Sequence, residues 1–301
     1  MPRLNRMLEH SAIFLFSLDP ATGKITGPDG TGMIIGRLWN TIKTRYHYYA
    51  VTNRHVLDIG ASIIQINTEN GKSRQIETEP HEWFFIPDAD DLAICDITDQ
   101  ISSQCEQEDI ITYIAESTFL TKDFIESRDI GMGEDVFMIG LFIGHPGKGK
   151  NVPLGRFGNL SRLADEQSPV EQNGNLCPSH LVDMRSRAGF SGSPVFVYRT
   201  PFSDLSRNGA FTGQPVHPGD YFLKFLGVHC AQFPEEMTFR KAESRGDIIK
   251  EGDKLMTNSS ITVVIPAWQI SKIIDLPHFN NRRKEREERF SGDIKYVPVP
   301  E

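Results

Sequence analysis

Short apolar runs set the rhythm of this chain. "AIFLFSL", "TGMIIGRLW", "HYYAVTN", "ASIIQIN", "EWFFIP", "LAICDI", "DVFMIGLFIG", "HLVDM", "SPVFVY", "FLKFLGVHCA" and "ITVVIPA" each last about one strand and are bounded by Gly, Pro, Asn or Asp. Helical periodicity is scarce. "PAWQISKIIDL" (266–276) puts Ile270, Ile273 and Ile274 on one face, with Pro266 near its start. "TYIAESTFLTKDFIES" (112–127) is a weaker helix candidate, and its position midway along the chain suits a connector. Many short strands with turn signals between them predict an all-β architecture, barrel or sandwich. The segment 197–222, polar with three Gly and three Pro, reads as a long surface loop. The mixed-charge run "NNRRKEREERF" (280–290) reads as a solvated or frayed helix, with a docking tail as the alternative.

Composition narrows the classes. The chain has 301 residues, 39% of them hydrophobic, enough for one large domain or two small ones. No apolar stretch approaches the ~20 residues of a membrane helix, so no membrane partner is expected. A net charge of −8 without a basic stripe argues against nucleic acid. The four cysteines, Cys95, Cys105, Cys177 and Cys230, are few and irregularly spaced, as expected of reduced thiols, and cytoplasm is the default compartment. Arg3 and Arg6 precede an apolar run, but Glu9 and His10 intervene and no small-residue cleavage site follows. A first strand is therefore expected rather than a signal peptide.

Three short stretches could carry chemistry. In "YHYYAVTNRHVLD" the alternation breaks at Asn53-Arg54-His55, as where a strand delivers a histidine to a loop. In "PDADDLAICDI", Asp91 abuts a run that looks buried, and a carboxylate there needs a partner. His55 would serve. In "RAGFSGSPVF", Gly189 and Gly192 flank Ser191; a tight turn alone would read this way. A serine nucleophile needs a base and oxyanion donors, and the amides of Gly189 and Ser191 could supply the donors.

"AVTNRHVL", "DDLAI" and "GFSGSPVF", in that order, resemble the signature segments of chymotrypsin-like (trypsin-fold) serine proteases of bacterial type. "VTNRHV" is similar to HtrA-type members and "SGSPV" to glutamyl endopeptidases. "GTGMIIG", "FLGVHCAQ" and "ITVVIPAWQISKII" resemble supporting segments, so the likeness spans roughly residues 10–275. It implies two six-stranded antiparallel β-barrels with a C-terminal helix. The N-terminal barrel would cover 1–112 with His55 and Asp91, and a connector 113–130. The C-terminal barrel with Ser191 and the helix would cover 131–276, and a charged tail 277–301. The implied activity is that of a serine endopeptidase working through a His55–Asp91–Ser191 triad and an acyl-enzyme. Phe190 departs from the zymogen pattern, which has Asp before the nucleophile, so activation by a freed N-terminus is not expected.

The resemblance also implies a preference for Glu or Gln before the scissile bond. Gly227-Val228-His229 matches a "G-x-H" in the pocket-lining strand, and Ser186 matches a pocket hydroxyl. An ordinary satisfied strand histidine is the alternative, and the direction of Arg185 and Arg187 is open. "GHPGKGKN" (144–151) nearly fits a phosphate loop. Asn151 replaces the magnesium hydroxyl, however, and Pro153 and Gly155 block the following helix, so a hairpin is expected. "CPSH" (177–180) has no second zinc-spaced pair. No metal or cofactor is expected. The expected partner is a protein or peptide substrate, with room for a regulatory protein. A catalytically silent protease-fold binding module, or a partner-activated protease, remains the alternative.

Overall fold

The computed structural model describes residues 3–19, 21–172, 174–201, 221–238 and 254–293. The N-terminal half carries α1 (Arg6–Glu9), β1 (Ala12–Leu18), β2 (Ile25–Leu38), β3 (Tyr46–Thr52), α2 (Arg54–Asp58), β4 (Ala61–Asn67), β5 (Ser73–Ile76), β6 (Trp83–Phe84), β7 (Ala93–Asp96), α3 (Thr98–Gln104) and β8 (Ile114–Ala115). After α4 (Lys122–Arg128) come β9 (Asp135–Gly140), β10 (Leu154–Arg162), β11 (Val170–Gln172), β12 (Asn175–Cys177), β13 (His180–Asp183), β14 (Pro194–Arg199), β15 (Phe222–Thr238), β16 (Lys254–Pro266), α5 (Ala267–Ile274) and α6 (Pro277–Asp293).

The chain is mostly β, with one closed six-stranded barrel, in the order β10-β13-β16-β15-β14-β9. Its lumen is filled by alternate residues of the strands, among them Val136, Met138, Leu160, Val182, Val195 and Val264. The expectation of a second six-stranded barrel is corrected. The N-terminal sheet runs β5-β4-β1-β2-β3-β7-β6 with β8 added in parallel to β2, and it does not close. The physical reason lies in its end strands. β5 has four residues and β6 two, too short to ladder together across the seam. Side chains span that region instead: Trp83 Nε1 donates to Thr78 Oγ1 (2.8 Å), which donates to the carbonyl of Ser62 (2.5 Å). The curled sheet still encloses its own core of Ile13, Leu15, Ile34, Ile64 and Trp83.

A third apolar cluster joins the halves. Met33, Tyr49, Val51 and Ile94 of the sheet pack with Phe137, Phe196, Phe225 and Ile265 of the barrel and with Ile270, Ile273 and Ile274 of α5. The 112–127 segment is a helix only in part. Its first residues form β8 and a turn, and α4 starts where Thr121 accepts a hydrogen bond from Phe124 N. The 197–222 segment is also shorter as a loop than expected, since β14 runs to Arg199 and β15 starts at Phe222. Residues 202–220 lie outside the described set.

The charged segment differs most from its sequence reading. α6 is neither frayed nor wholly solvated. Arg283 and Glu287 are buried against the N-terminal sheet. Glu287 accepts from His47 Nε2 (3.0 Å), Thr41 N (3.0 Å), Thr41 Oγ1 (2.8 Å) and Asn40 N (3.1 Å). Arg283 donates to the Tyr49 hydroxyl (2.9 Å) and the Ile274 carbonyl (2.7 Å), and Arg286 pairs with Asp96 (3.2 Å) and Asp99 (2.9 Å). Phe279 sits edge-on to Tyr49, and Phe290 edge-on to Trp39. No helix among the described residues is long and apolar enough to cross a membrane.

Candidate active site

β3 ends at Thr52, and the short helix α2 begins two residues later, so His55 sits in the first turn after a strand. Its main-chain amide donates to Asp91 Oδ1 (3.1 Å), and its Nδ1 lies 2.6 Å from Asp91 Oδ2. A carboxylate accepts only, so Nδ1 carries the proton and Nε2 is left as a lone-pair base. The Asp91 side chain is 3% exposed and that of His55 34%, so the acid is covered and the base reaches solvent.

Asp91 is held from three sides. Its carbonyl accepts from Asn53 Nδ2 (2.9 Å) and Arg54 N (3.3 Å), and its amide donates to Gln172 Oε1 (3.1 Å). Gln172 also bonds Asp90 (3.3 Å) and Ser179 (2.7 Å), and Asn175 bonds the Ala89 carbonyl (3.3 Å). The β11–β12 hairpin of the C-terminal half thus clasps the acid-bearing loop of the N-terminal half. Burial pushes the Asp90 carboxyl above its ordinary value, against the hydrogen bond from Gln172.

Ser191 comes from the loop before β14. Phe190 N donates to Arg187 O (3.2 Å), closing a four-residue turn with Gly189 third at φ +97°. That is a type II turn, which requires φ > 0 at its third residue. In a type I turn the Ala188–Gly189 peptide would be rotated by about half a revolution, exchanging N–H for carbonyl. Among the described residues, neither Gly189 N nor Ser191 N has an acceptor. Two donors therefore stand unused at this turn.

The turn is pinned to the N-terminal sheet by a residue the sequence reading did not single out. Thr31 in β2 donates its amide to the Ser191 carbonyl (3.0 Å) and its hydroxyl to the Gly189 carbonyl (2.7 Å), and the hydroxyl accepts from Leu141 N (2.9 Å). Thr52 Oγ1 donates to the Thr31 carbonyl (2.7 Å). Gly192, at φ +83°, packs so tightly here that a Cβ would collide with the Thr31 carbonyl oxygen and the Thr52 hydroxyl. Ser191 is thereby anchored on β2 and, through Thr52, on the end of β3 that leads to His55. Among the described residues no hydrogen bond joins Ser191 Oγ to His55. "GTGMIIG" marked a glycine-rich hairpin, but nothing in it distinguished Thr31 from its neighbours.

Ser186 and His229 are brought together. Ser186 Oγ lies 2.8 Å from His229 Nε2, and His229 Nδ1 lies 3.4 Å from the Val263 carbonyl. A carbonyl only accepts, so the Nδ1 proton points at Val263 and Nε2 accepts from the Ser186 hydroxyl. Burial holds His229 neutral, lowering its pKa to about 4, and a charge on nearby His55 adds to the effect. Arg185 and Arg187 are exposed.

Of the other sequence candidates, His180 of "CPSH" is buried, accepts from Ala164 N (3.0 Å) and stands edge-on to Trp268. No group of three potential metal ligands occurs among the described residues. All four cysteines are free thiols. In "GHPGKGKN", Asn151 is tied into the N-terminal sheet through Gln65 and Asn67, and residues 144–153 form no helix.

No family model matches the chain, and no curated protein matches its sequence. Solved structures do. One, a crystal structure of the Rv3671c protease in an inactive form, is 16% identical, with 89% of each chain covered and a TM-score of 0.41. A second is an inactive serine-to-alanine mutant of Rv3671c from M. tuberculosis H37Rv. It is 15% identical, with 65% of this chain and 80% of that one covered and a TM-score of 0.34. The functional reading rests on the geometry of the site itself.

Proposed function

We propose that the chain is a serine endopeptidase with His55, Asp91 and Ser191 as its triad. The observation that carries this is the 2.6 Å contact between His55 Nδ1 and buried Asp91, which leaves Nε2 as the available base. Ser191 Oγ attacks the peptide carbonyl as His55 Nε2 takes its proton. Asp91 fixes the tautomer and stabilises the imidazolium, and the amides of Gly189 and Ser191 receive the oxyanion. His55 then returns the proton to the leaving amine, and water repeats the sequence on the acyl-enzyme.

Recognition of the residue before the scissile bond falls to Ser186 and His229. With His229 neutral and its Nε2 taken by the Ser186 hydroxyl, the pair presents to a substrate the remaining lone pairs of Ser186 Oγ, an acceptor. That suits a carboxamide, whose NH₂ can donate, better than a carboxylate, which only accepts. Within the Glu-or-Gln expectation, the reading favours Gln at neutral pH. A peptide library in which Gln is preferred, and in which Ser186→Ala and His229→Leu lose the preference, supports it. Cleavage after basic or large apolar residues refutes it.

One observation favours a second reading, a silent or partner-armed module: the missing bond between Ser191 and His55. Intact-mass labelling with a fluorophosphonate separates the two. A single adduct that is absent in Ser191→Ala and lost in His55→Ala supports catalysis. No adduct on the unmodified chain supports the second reading.

A further inference from the structure

Leu154, Arg156, Gly158 and Leu160 alternate along β10 on the face turned to the barrel lumen, so a cation points inward where the strand would be expected to supply an apolar side chain. The Arg156 guanidinium lies 5.6 Å from the centre of the Phe190 ring. Its Nε is buried and has no hydrogen-bond partner, and none of the described carboxylates pairs with its other nitrogens. Arg54, Arg74 and Arg162 also have a buried Nε without a hydrogen-bond partner, but Arg74 pairs with Asp109 and Arg162 donates to the Ser168 carbonyl, while Arg199 meets Glu134, Arg283 the Tyr49 hydroxyl, and Arg286 both Asp96 and Asp99. A buried polar group left without a partner asks for an explanation.

The surroundings supply one. Arg156 lines a groove of about 470 Å³ at the barrel rim, together with Phe157, Met184, Ser260 and the exposed Arg185. Arg185 likewise has no ion pair among the described residues. The one acid on the lining, Asp183, pairs with neither arginine. Two unpaired guanidinium groups facing one groove, in a chain of net charge −8, form a local cationic site. The groove is distinct from the Ser186–His229 pair, since neither of those residues lines it.

The site also touches the nucleophile. Phe190 is fully buried in the barrel lumen and lies between Gly189 and Ser191 in sequence. Its amide closes the turn on Arg187 O, and its carbonyl accepts from Ser193 N (2.9 Å). The turn that sets the Gly189 and Ser191 amides is therefore seated through this one ring, and Arg156 packs on it. We propose that the rim groove binds an oxyanion presenting two oxygens, a carboxylate or a phosphate, across Arg156 and Arg185, and that its occupancy orders the turn carrying Ser191. Guanidinium groups match such oxyanions in a bidentate fashion. The binding half stands on the groove alone; the ordering half rests on Ser191 being the nucleophile.

The test uses the full chain, with inorganic phosphate and succinate as probes and sodium chloride at matched ionic strength as reference. Binding is read by calorimetry. The rate of fluorophosphonate labelling of Ser191 is read with and without each probe. At least one probe binds, Arg185→Gln and Arg156→Gln each weaken it about tenfold or more, and Arg156→Lys retains part of the affinity. Phosphate binding alone marks a phosphoryl ligand, and succinate binding alone marks an acidic side chain or chain end. Saturation accelerates labelling in the unmodified chain and not in Arg156→Gln. Arg185 is exposed, so its variant reads the site even where Arg156→Gln folds poorly. No binding above the chloride reference, or equal binding in Arg185→Gln, overturns the site; binding with unchanged labelling overturns the ordering. A chain that binds the probe but never labels keeps the site and removes the peptidase reading instead.

Discussion

Acid should unfold this protein through its buried histidines. His180 and His229 are sealed in the barrel, and burial holds their pKa values at about 3 and about 4. Geometry agrees: Ala164 N donates to His180 Nδ1, and the Ser186 hydroxyl faces His229 Nε2, so each ring already uses an unprotonated nitrogen. In the unfolded chain both titrate near 6.5, so unfolding binds protons throughout the window below that value. Depressed folded values mean that the stability is present above pH ~6.5 and is lost as pH falls. At pH 5.5 the unfolded state holds roughly 1.8 more protons on these two rings, a slope of about 2.5 kcal/mol per pH unit. Between pH 6.5 and 4.5 the loss sums to about 4–5 kcal/mol, a large share of the ~5–15 kcal/mol typical of a folded domain. His47 adds in the same direction: burial lowers its pKa, partly countered by Glu287, and Arg286 already donates to its Nδ1. Asp90, pushed up by burial, opposes by at most one proton. The assay is urea unfolding at half-unit steps from pH 7.5 to 4.5. His180→Phe should remove roughly half of the two-ring slope while keeping the edge contact with Trp268. A slope below about 1 kcal/mol per pH unit near pH 5.5, or no change in His180→Phe, refutes the reasoning.

Further predictions follow from single contacts. Asp91→Asn should leave the fold intact and lower kcat by about 10⁴, since the wrong imidazole tautomer would be held; hydrolysis of a peptide cleaved by the unmodified chain measures it. Gly192→Ala should destabilise the Ser191 turn, because its Cβ has no room beside Thr31 and Thr52 and φ is positive; slower fluorophosphonate labelling with a lower Tm checks it. Glu287→Ala should cost about 3 kcal/mol by leaving His47, Thr41 and the Asn40 amide without their shared partner, read from urea unfolding at pH 7.5. Thr31→Val should impair labelling more than stability, since it removes the hydroxyl that joins Gly189 O to Leu141 N.

The sequence made the strands legible wherever burial was two-sided or cleanly alternating. "AIFLFSL", "HYYAVT" and "SPVFVY" are strands because nothing interrupts their apolar face. The contact between His55 and Asp91 was legible for a chemical reason, because a carboxylate at the edge of a buried run needs a partner. β10 was missed because its lumen face alternates through Arg156 and Gly158, which blurs the period of two. The open seam of the first sheet was missed because closure depends on strand lengths at the far ends, which motifs do not encode. α6 was misjudged because charge was read as exposure. Phe279, Arg283 and Glu287 share one helix face at four-residue spacing, and that face is buried because His47, Tyr49 and the amides of Asn40 and Thr41 wait for it 230–250 residues earlier. A sequence window cannot see partners at that distance.

The clasp of α6 orders events in time. Tyr49 and Arg283 are 234 positions apart, and His47 and Glu287 240. At a synthesis rate of roughly 5–20 residues per second, β3 emerges some tens of seconds before the helix that satisfies it. During that interval His47 and the amides of Asn40 and Thr41 can find only water, and the strand leading to His55 lacks its outer brace. The Ser191 turn is made later still than β3 and must dock on Thr31 from a barrel that has just closed. A ribosome-bound chain therefore carries His55 and Asp91 long before the Ser191 turn can dock, and the α6 braces of the N-terminal half follow the last barrel strand. Translation itself thus keeps the proposed triad unassembled until the barrel strands and α6 have emerged.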